Sequence, residues 1–324
     1  TDNDGLTDID IVDIEVEFGL STTLNREAFD PTLGQMQGIN VNITGTATLT
    51  LRIIDQASNP VKTLYSGVTR APGSYLDEWD GRDESNDLVG SGVYYFIIDY
   101  EYGGKSYTYD LTNTEGVDRI TPSQQYQTSF NPLEGKNLDI SYALSKRGET
   151  TIYVFDWARS TDVRTILLRE PQTSGAKVIT WDGTDDDGNL VPLDTTYTIA
   201  TMSWYLPDNA LIVASEPIVS NVGSSPTWFV PGVNPYTSED NLLRTVFLLS
   251  KPADLEVTVW DFNNTVVRTL NFNGLSAGAN ETTWDGRDGS ANLLPPGIYR
   301  VRLVATDAAG NESMPAFSLF QIFY

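Results

Sequence analysis

Short apolar runs with a polar beat recur along this chain. Leu49-Thr50-Leu51-Arg52-Ile53-Ile54-Asp55, Thr151-Ile152-Tyr153-Val154-Phe155-Asp156 and Leu255-Glu256-Val257-Thr258-Val259-Trp260-Asp261 all end on Asp. A period of two sends alternate side chains to opposite faces, so each run predicts a strand with one face in a core. In the segment from Tyr94, the same count puts Tyr94, Phe96, Ile98 and Tyr100 on the core side. Tyr95 falls on the other side, where Tyr107 or Tyr109 could meet it. Gly, Pro, Asn and Asp break the runs at short intervals, and no long amphipathic helix is visible. The pattern predicts antiparallel β-sandwiches.

The runs belong to a repeat. Trp79-Asp80-Gly81-Arg82-Asp83 returns as Trp181-Asp182-Gly183-Thr184-Asp185 and as Trp284-Asp285-Gly286-Arg287-Asp288, at spacings of 102 and 103 residues. Val61-Lys62-Thr63-Leu64, Val163-Arg164-Thr165-Ile166 and Val267-Arg268-Thr269-Leu270 precede the three copies, and a strand opening at Tyr94, Tyr197 or Tyr299 follows each. In each copy Asp-Gly is turn chemistry, and the Trp is a core anchor. The repeats are expected to start at Phe29-Asp30-Pro31, Phe130-Asn131-Pro132 and Val233-Asn234-Pro235. Gly92 and Gly297 precede the later Tyr. The second copy has Thr195-Thr196 there, so its loop should differ. Linkers are expected at 114–129 and 220–231. The expected organisation is an acidic tail and extra strand (1–24), then domains at 25–118, 119–222 and 223–324.

The extra strand is read from Ile14, Val16, Phe18 and Leu20, which alternate with Glu15, Glu17 and Gly19. Val12-Asp13 shifts its phase, which suggests a bulge. Ahead of the other two repeats no segment shows this alternation at the same distance. Two partners are open to it: its own domain, or a groove on a neighbouring copy. At the other end, Phe317 to Tyr324 is so apolar that it must be paired or covered.

Charge and composition narrow the chemistry. The net charge of −24 argues against nucleic acid and anionic membrane surfaces. The chain has neither Cys nor His. Disulfides, thiol chemistry and the commonest general base are therefore missing, and a metal would have to be a hard cation such as calcium. Candidate calcium ligands are Asp2, Asp4 and Asp8 in the tail and Asp182, Asp185 and Asp187 in the second repeat. The tail resembles a truncated thrombospondin type 3 calcium repeat. The bland reading of all six is acids that satisfy turns or face water. No apolar run is long enough to span a membrane. The opening at Thr1, without Met or leader, reads as a mature, processed or partial chain and leans towards secretion.

Asn-Pro, a strand ending in Asp, Val-Arg-Thr-Leu, Trp-Asp-Gly-Arg-Asp and Pro-Gly-Ile-Tyr together resemble the immunoglobulin-like domain of the flagellar hook-capping protein family, over most of 29–110, 130–213 and 233–311. The resemblance implies an all-β chain of three tandem immunoglobulin-like antiparallel β-sandwiches. Short linkers make the expected arrangement a rod, with the extra N-terminal strand at its head. The module is a scaffold, and the resemblance implies no catalytic residue. The expected role is a structural subunit of a bacterial extracellular filament or cell-surface appendage. It would polymerise with its own copies, head to tail, by addition of the Ile14, Val16, Phe18 and Leu20 strand. The alternative is a surface adhesin or carbohydrate-binding module using Tyr95 and Tyr107. No enzyme activity, cofactor or membrane insertion is expected.

Overall fold

The computed structural model describes residues 18–112, 119–120, 123–126, 129–132, 136–193, 195–232 and 242–324, the two short segments 119–120 and 123–126 as backbone. The first unit contains β1 (Leu20–Leu24), β2 (Ala28–Phe29), β3 (Gln37–Ile43), β4 (Ala47–Asp55), β5 (Pro60–Arg70), β6 (Gly73–Trp79), β7 (Gly92–Tyr102) and β8 (Lys105–Tyr109). The second contains β9 (Arg119–Ile120), β10 (Ser123–Tyr126), β11 (Leu138–Leu144), β12 (Gly148–Asp156), β13 (Thr161–Gln172), β14 (Gly175–Trp181) and β15 (Thr198–Tyr205). Next comes β16 (Ala210–Val213). The third unit has β17 (Val219–Ser225), β18 (Trp228–Phe229), β19 (Leu243–Leu249), β20 (Ala253–Trp260), β21 (Val266–Leu275), β22 (Gly278–Trp284), β23 (Gly297–Thr306) and β24 (Ala316–Ile322).

Each unit is a sandwich of two sheets. The smaller sheets run β1-β3-β6, β10-β11-β14 and β17-β19-β22, and the larger ones β2-β16-β7-β4-β5, β13-β12-β15-β9 and β18-β24-β23-β20-β21. Period-two alternation builds the faces between them. Ile39, Val41 and Ile43 of β3 meet Leu49, Leu51 and Ile53 of β4, with Phe96 and Ile98 of β7, around Trp79. Trp181 and Trp284 anchor the other two cores. Leu319, Phe320 and Ile322 are buried in β24, which pairs with β23 and β18, so the apolar C-terminal run is paired and covered as far as Ile322, while Phe323 and Tyr324 stay exposed.

The extra strand read from Ile14 to Leu20 lies outside the described residues up to Glu17, and its last residue, Leu20, opens β1. β1 pairs with β3 from Leu20↔Ile43 to Leu24↔Ile39, as β10 pairs with β11 and β17 with β19. It is the ordinary first strand of its sandwich. Its counterparts β10 and β17 are largely polar, and a register shift between Ser220 and Gly223 interrupts β17. The expected linkers at 114–129 and 220–231 carry strands β9, β10, β17 and β18. A boundary at 222 falls inside β17.

The largest difference from the sequence reading lies at β16. Its four residues leave the second unit and join the larger sheet of the first, antiparallel to β7 (Ala210↔Tyr95 to Val213↔Gly92) and parallel to β2 (Ile212↔Ala28, Val213↔Phe29). In the third unit β24 does the same with its own neighbours: Ile322 faces Gly297 and lies beside Phe229. Thus β16 occupies in the first unit the place that β24 holds in the third. The reason is that β8 folds back on the far half of β7, from Ile98↔Tyr109 to Tyr102↔Lys105, and leaves the near half open. The second unit is an insertion between two strands of the first.

Candidate functional site

The three Trp-Asp-Gly corners share one geometry. The indole Nε1–H of Trp79, Trp181 and Trp284 donates to the carbonyl of Arg82, Thr184 and Arg287 at 2.9, 2.8 and 2.9 Å. Oδ1 of Asp80, Asp182 and Asp285 accepts from the backbone N–H of those same residues at 3.1, 3.1 and 3.2 Å. Gly81, Gly183 and Gly286 have φ of 73°, 81° and 76°, where a side chain is strained. Each also lies against a proline: an added Cβ would sit 2.6 Å from Pro31 and 3.0 Å from Pro132, and would run into Pro231. A Phe two residues before that proline packs near edge-on against the Trp, at centroid distances of 5.5, 5.4 and 6.0 Å for Phe29, Phe130 and Phe229.

This geometry corrects the start of the third repeat. Val233-Asn234-Pro235 lies outside the described residues, and the place of Pro31 and Pro132 is held by Pro231. The shared pattern is Phe-x-Pro, which an Asn-Pro match overlooks. The later tyrosine closes each corner: Tyr94, Tyr197 and Tyr299 donate to the carbonyls of Gly90, Pro192 and Pro295. The second unit keeps that bond without the preceding Gly, but its strand begins only at Thr198.

The acids of these loops serve the backbone. Asp185 Oδ1 accepts from Asn189 N–H at 2.7 Å, Asp288 Oδ1 from Ser290 and Asn292, and Asp83 Oδ1 from Ser85 and Asp87. Asp187 is exposed on its turn. Among the described residues no group of three or more acids converges to hold a metal ion. Asp2, Asp4 and Asp8 lie outside the described residues, as do Ile14 and Val16. Phe18 and Leu20 pack in their own unit: Phe18 lies 4.7 Å from the Tyr102 ring and 5.1 Å from Tyr100, and Leu20 borders the core. Tyr94, Phe96, Ile98 and Tyr100 face the core as the alternation predicts. Tyr95 is only 3 % exposed, in a second cluster with Ile54, Ile97, Leu206, Ala210 and Ile212. Tyr107 stacks on Tyr100 on the opposite face of that strand. The two tyrosines therefore form no common sugar-binding surface.

Residues that the sequence reading did not single out hold the seams between units. Lys251 of the third unit is 4 % exposed. Its ammonium donates to Thr32 Oγ1 of the first unit at 2.8 Å, to the Ser215 carbonyl at 2.6 Å and to Asp307 Oδ2 at 3.1 Å, and forms an ion pair with Asp30 Oδ2 of the first unit at 2.5 Å. Burial acts to raise the Asp307 pKa, but hydrogen bonds from Asn311 and Lys251 outweigh it and hold the carboxyl below its usual range. Arg147 of the second unit donates to the carbonyls of Pro207, Asp208 and Ala210 at 3.0, 2.8 and 2.7 Å, fixing the approach to β16. Burial lowers its pKa, opposed by the charges of Asp208 and Glu27.

The remaining seams are polar and aromatic. Glu27 accepts from Ser174 N–H and Oγ at 2.6 and 2.7 Å, joining the first and second units. Between the second and third, Asn264 bonds Asn189, and Arg164 and Arg300 both lie over the Phe317 ring. A cavity of about 20 Å³ in that seam is too small for an organic ligand. Each unit thus touches both others. A straight rod would keep the first and third apart, yet they meet at Lys251.

Comparison with known proteins bears on the third unit. Residues 236–309 match the family model described as FlgD Ig-like domain. The chain is 37 % identical over 60 residues, 18 % of its length, to the basal-body rod modification protein FlgD of Salmonella typhimurium and to that of Salmonella typhi, and it spans 26 % of those proteins. Among solved structures, FlgD from P. aeruginosa is 22 % identical, with a TM-score of 0.24 over 32 % of this chain and 71 % of that one. Dimeric latent PorU from Porphyromonas gingivalis is 11 % identical, with a TM-score of 0.27 over 94 % of this chain and 34 % of that one. The first and second units repeat the third unit's Trp-Asp-Gly corner, its Phe-x-Pro contact and its tyrosine bond, and it is in the third unit that residues 236–309 match the FlgD Ig-like domain.

Proposed function

We propose that this chain is a non-enzymatic structural component of a bacterial surface assembly related to the flagellar hook and rod apparatus. The observation that carries the reading is the match of residues 236–309 to the FlgD Ig-like domain. Identity to the basal-body rod modification protein of Salmonella lies along the same direction. The corners support a scaffold role, because their carboxylates are spent on backbone N–H groups rather than aimed into a shared cleft. The body works as one piece, since Lys251, Arg147 and β16 tie the units together. Its contacts with neighbours, copies of itself included, are made from the outer faces of that body. β1 is held by β3 of its own unit, and Ile14 and Val16 of the expected donor strand lie outside the described residues.

Immunogold labelling of intact source cells with antibody to the folded protein tests this. Label on the cell surface or on shed appendages is expected. Antigen confined to the cytosol and seen only after lysis would contradict it.

A further inference from the structure

We infer that tension applied between the two ends of the chain passes through the first unit and bypasses the second. The strand order carries this. The chain enters the first unit at β1 and leaves it for good at β16, and the whole second unit lies between β8 and β16. While β16 stays in the first unit's sheet, both ends of the second unit are held by that sheet. The covalent load path then skips β9 to β15, which are reached only through side-chain contacts such as that of Glu27 with Ser174. This holds whatever the chain is anchored to.

The closure is built to bear load along the strands. β2 and β16 run parallel, so once β1 has been drawn from β3, a pull on the entering chain and a pull on the departing chain act in opposite directions along the pair. Their hydrogen bonds are loaded together in shear instead of being peeled one by one. The exit end is fastened at several points. Ala214 N–H donates to the Phe29 carbonyl at 2.9 Å, Ser215 N–H to Ser91 Oγ at 3.0 Å, and Lys251 bridges the Ser215 carbonyl and Asp30. At the other end, Asn209 Nδ2 donates to the Phe96 carbonyl and Phe96 N–H to the Asn209 carbonyl, both at 3.0 Å, while Arg147 grips the approach. Between these ends Leu211 and Val213 are sealed in the core. The second unit keeps its fold and its surface under loads that strain the first.

Single-molecule pulling on the full chain tests this, with one handle at the N-terminus and the other on Ile218→Cys, a 61 % exposed position just after the closure. The third unit then lies outside the load. Ser141→Cys with Val178→Cys, opposite one another in β11 and β14, closes a loop that shortens the length released by the second unit and so labels it. The long release of the first unit is expected before the short one in every trace. A short release coming first, with the long one still to follow, overturns the inference. Handles moved to Thr112→Cys and Asp208→Cys load the second unit directly and need no disulfide. They are expected to open the second unit while the first stays closed. Loss of the first unit from that geometry would equally contradict the inference.

Discussion

Leu211 stands opposite Tyr94 in the sheet of the first unit, although the whole second unit separates them along the chain. The same pairing in the third unit, Phe320 with Tyr299, is made by two consecutive strands, β23 and β24. The first sandwich is therefore completed by a strand that lies beyond the second unit in the chain.

Truncating Leu211 should unsettle the first unit. Its side chain is fully buried in that core. Leu211→Ala is expected to cost about 2–5 kcal/mol, the usual range for a buried leucine. Leu168→Ala, at a side chain 66 % exposed, should cost less than about 0.5 kcal/mol. Urea denaturation of both variants checks the contrast, and equal midpoints would speak against the assignment of β16.

The corners predict a second contrast. Gly286 has positive φ and meets Pro231, so Gly286→Ala carries both strain and collision. A cost of about 2–4 kcal/mol is expected, near the sum of strained backbone and overpacking. Gly278 has φ of 100° with open space around it, and its Ala variant should lose only the backbone part, about 1 kcal/mol. Thermal melts of the pair separate the two contributions.

Much of this was legible in the residues. The Trp-Asp-Gly spacing located three cores, and alternation placed Tyr94, Phe96, Ile98 and Tyr100 on the right face. What failed was pairing over long range. Ala210-Leu211-Ile212-Val213 is a short apolar run, buried on both faces, and such a run carries no register signal to name its partner. Lys251 was invisible for a related reason: a lysine between Ser250 and Pro252 looks like a surface residue until folding brings Asp30 and Asp307 to it. Phe229-Val230-Pro231 could have been found, since Phe-x-Pro recurs in all three repeats, but the Asn-Pro dipeptide drew the alignment four residues too far.

Lys251→Met should loosen the first unit from the third. Removing the ammonium leaves Asp30 and Asp307 buried without their cation, and breaking a buried pair in this way typically costs about 3–5 kcal/mol. Small-angle scattering is expected to show a larger radius of gyration than wild type, with each sandwich intact by circular dichroism. An unchanged scattering curve and unchanged stability would show that the cluster does not hold the seam.

Acid should act on the same seam. The folded pKa of Asp307 lies below its ordinary value of 3.8, so its contribution is complete above that range and is lost as the pH falls through the folded value. Glu170 and Glu216 have the opposite sign. Burial raises both, so protonation favours the folded chain as the pH falls towards the ordinary glutamate value of 4.5. Stability is expected to rise slightly from neutrality towards that value and then to fall in stronger acid. Asp307→Asn should flatten the acid limb, and melts across the pH range read both limbs.

The most direct measurement is a disulfide trap between β7 and β16. Tyr95 and Ala210 face one another across the two strands, so Tyr95→Cys with Ala210→Cys should oxidise within a single chain. Peptide mapping is then expected to join position 95 to position 210 in monomeric protein. A chain that stays reduced at both positions, or that links them only between two molecules, would contradict the account that the first sandwich is closed by its own returning strand.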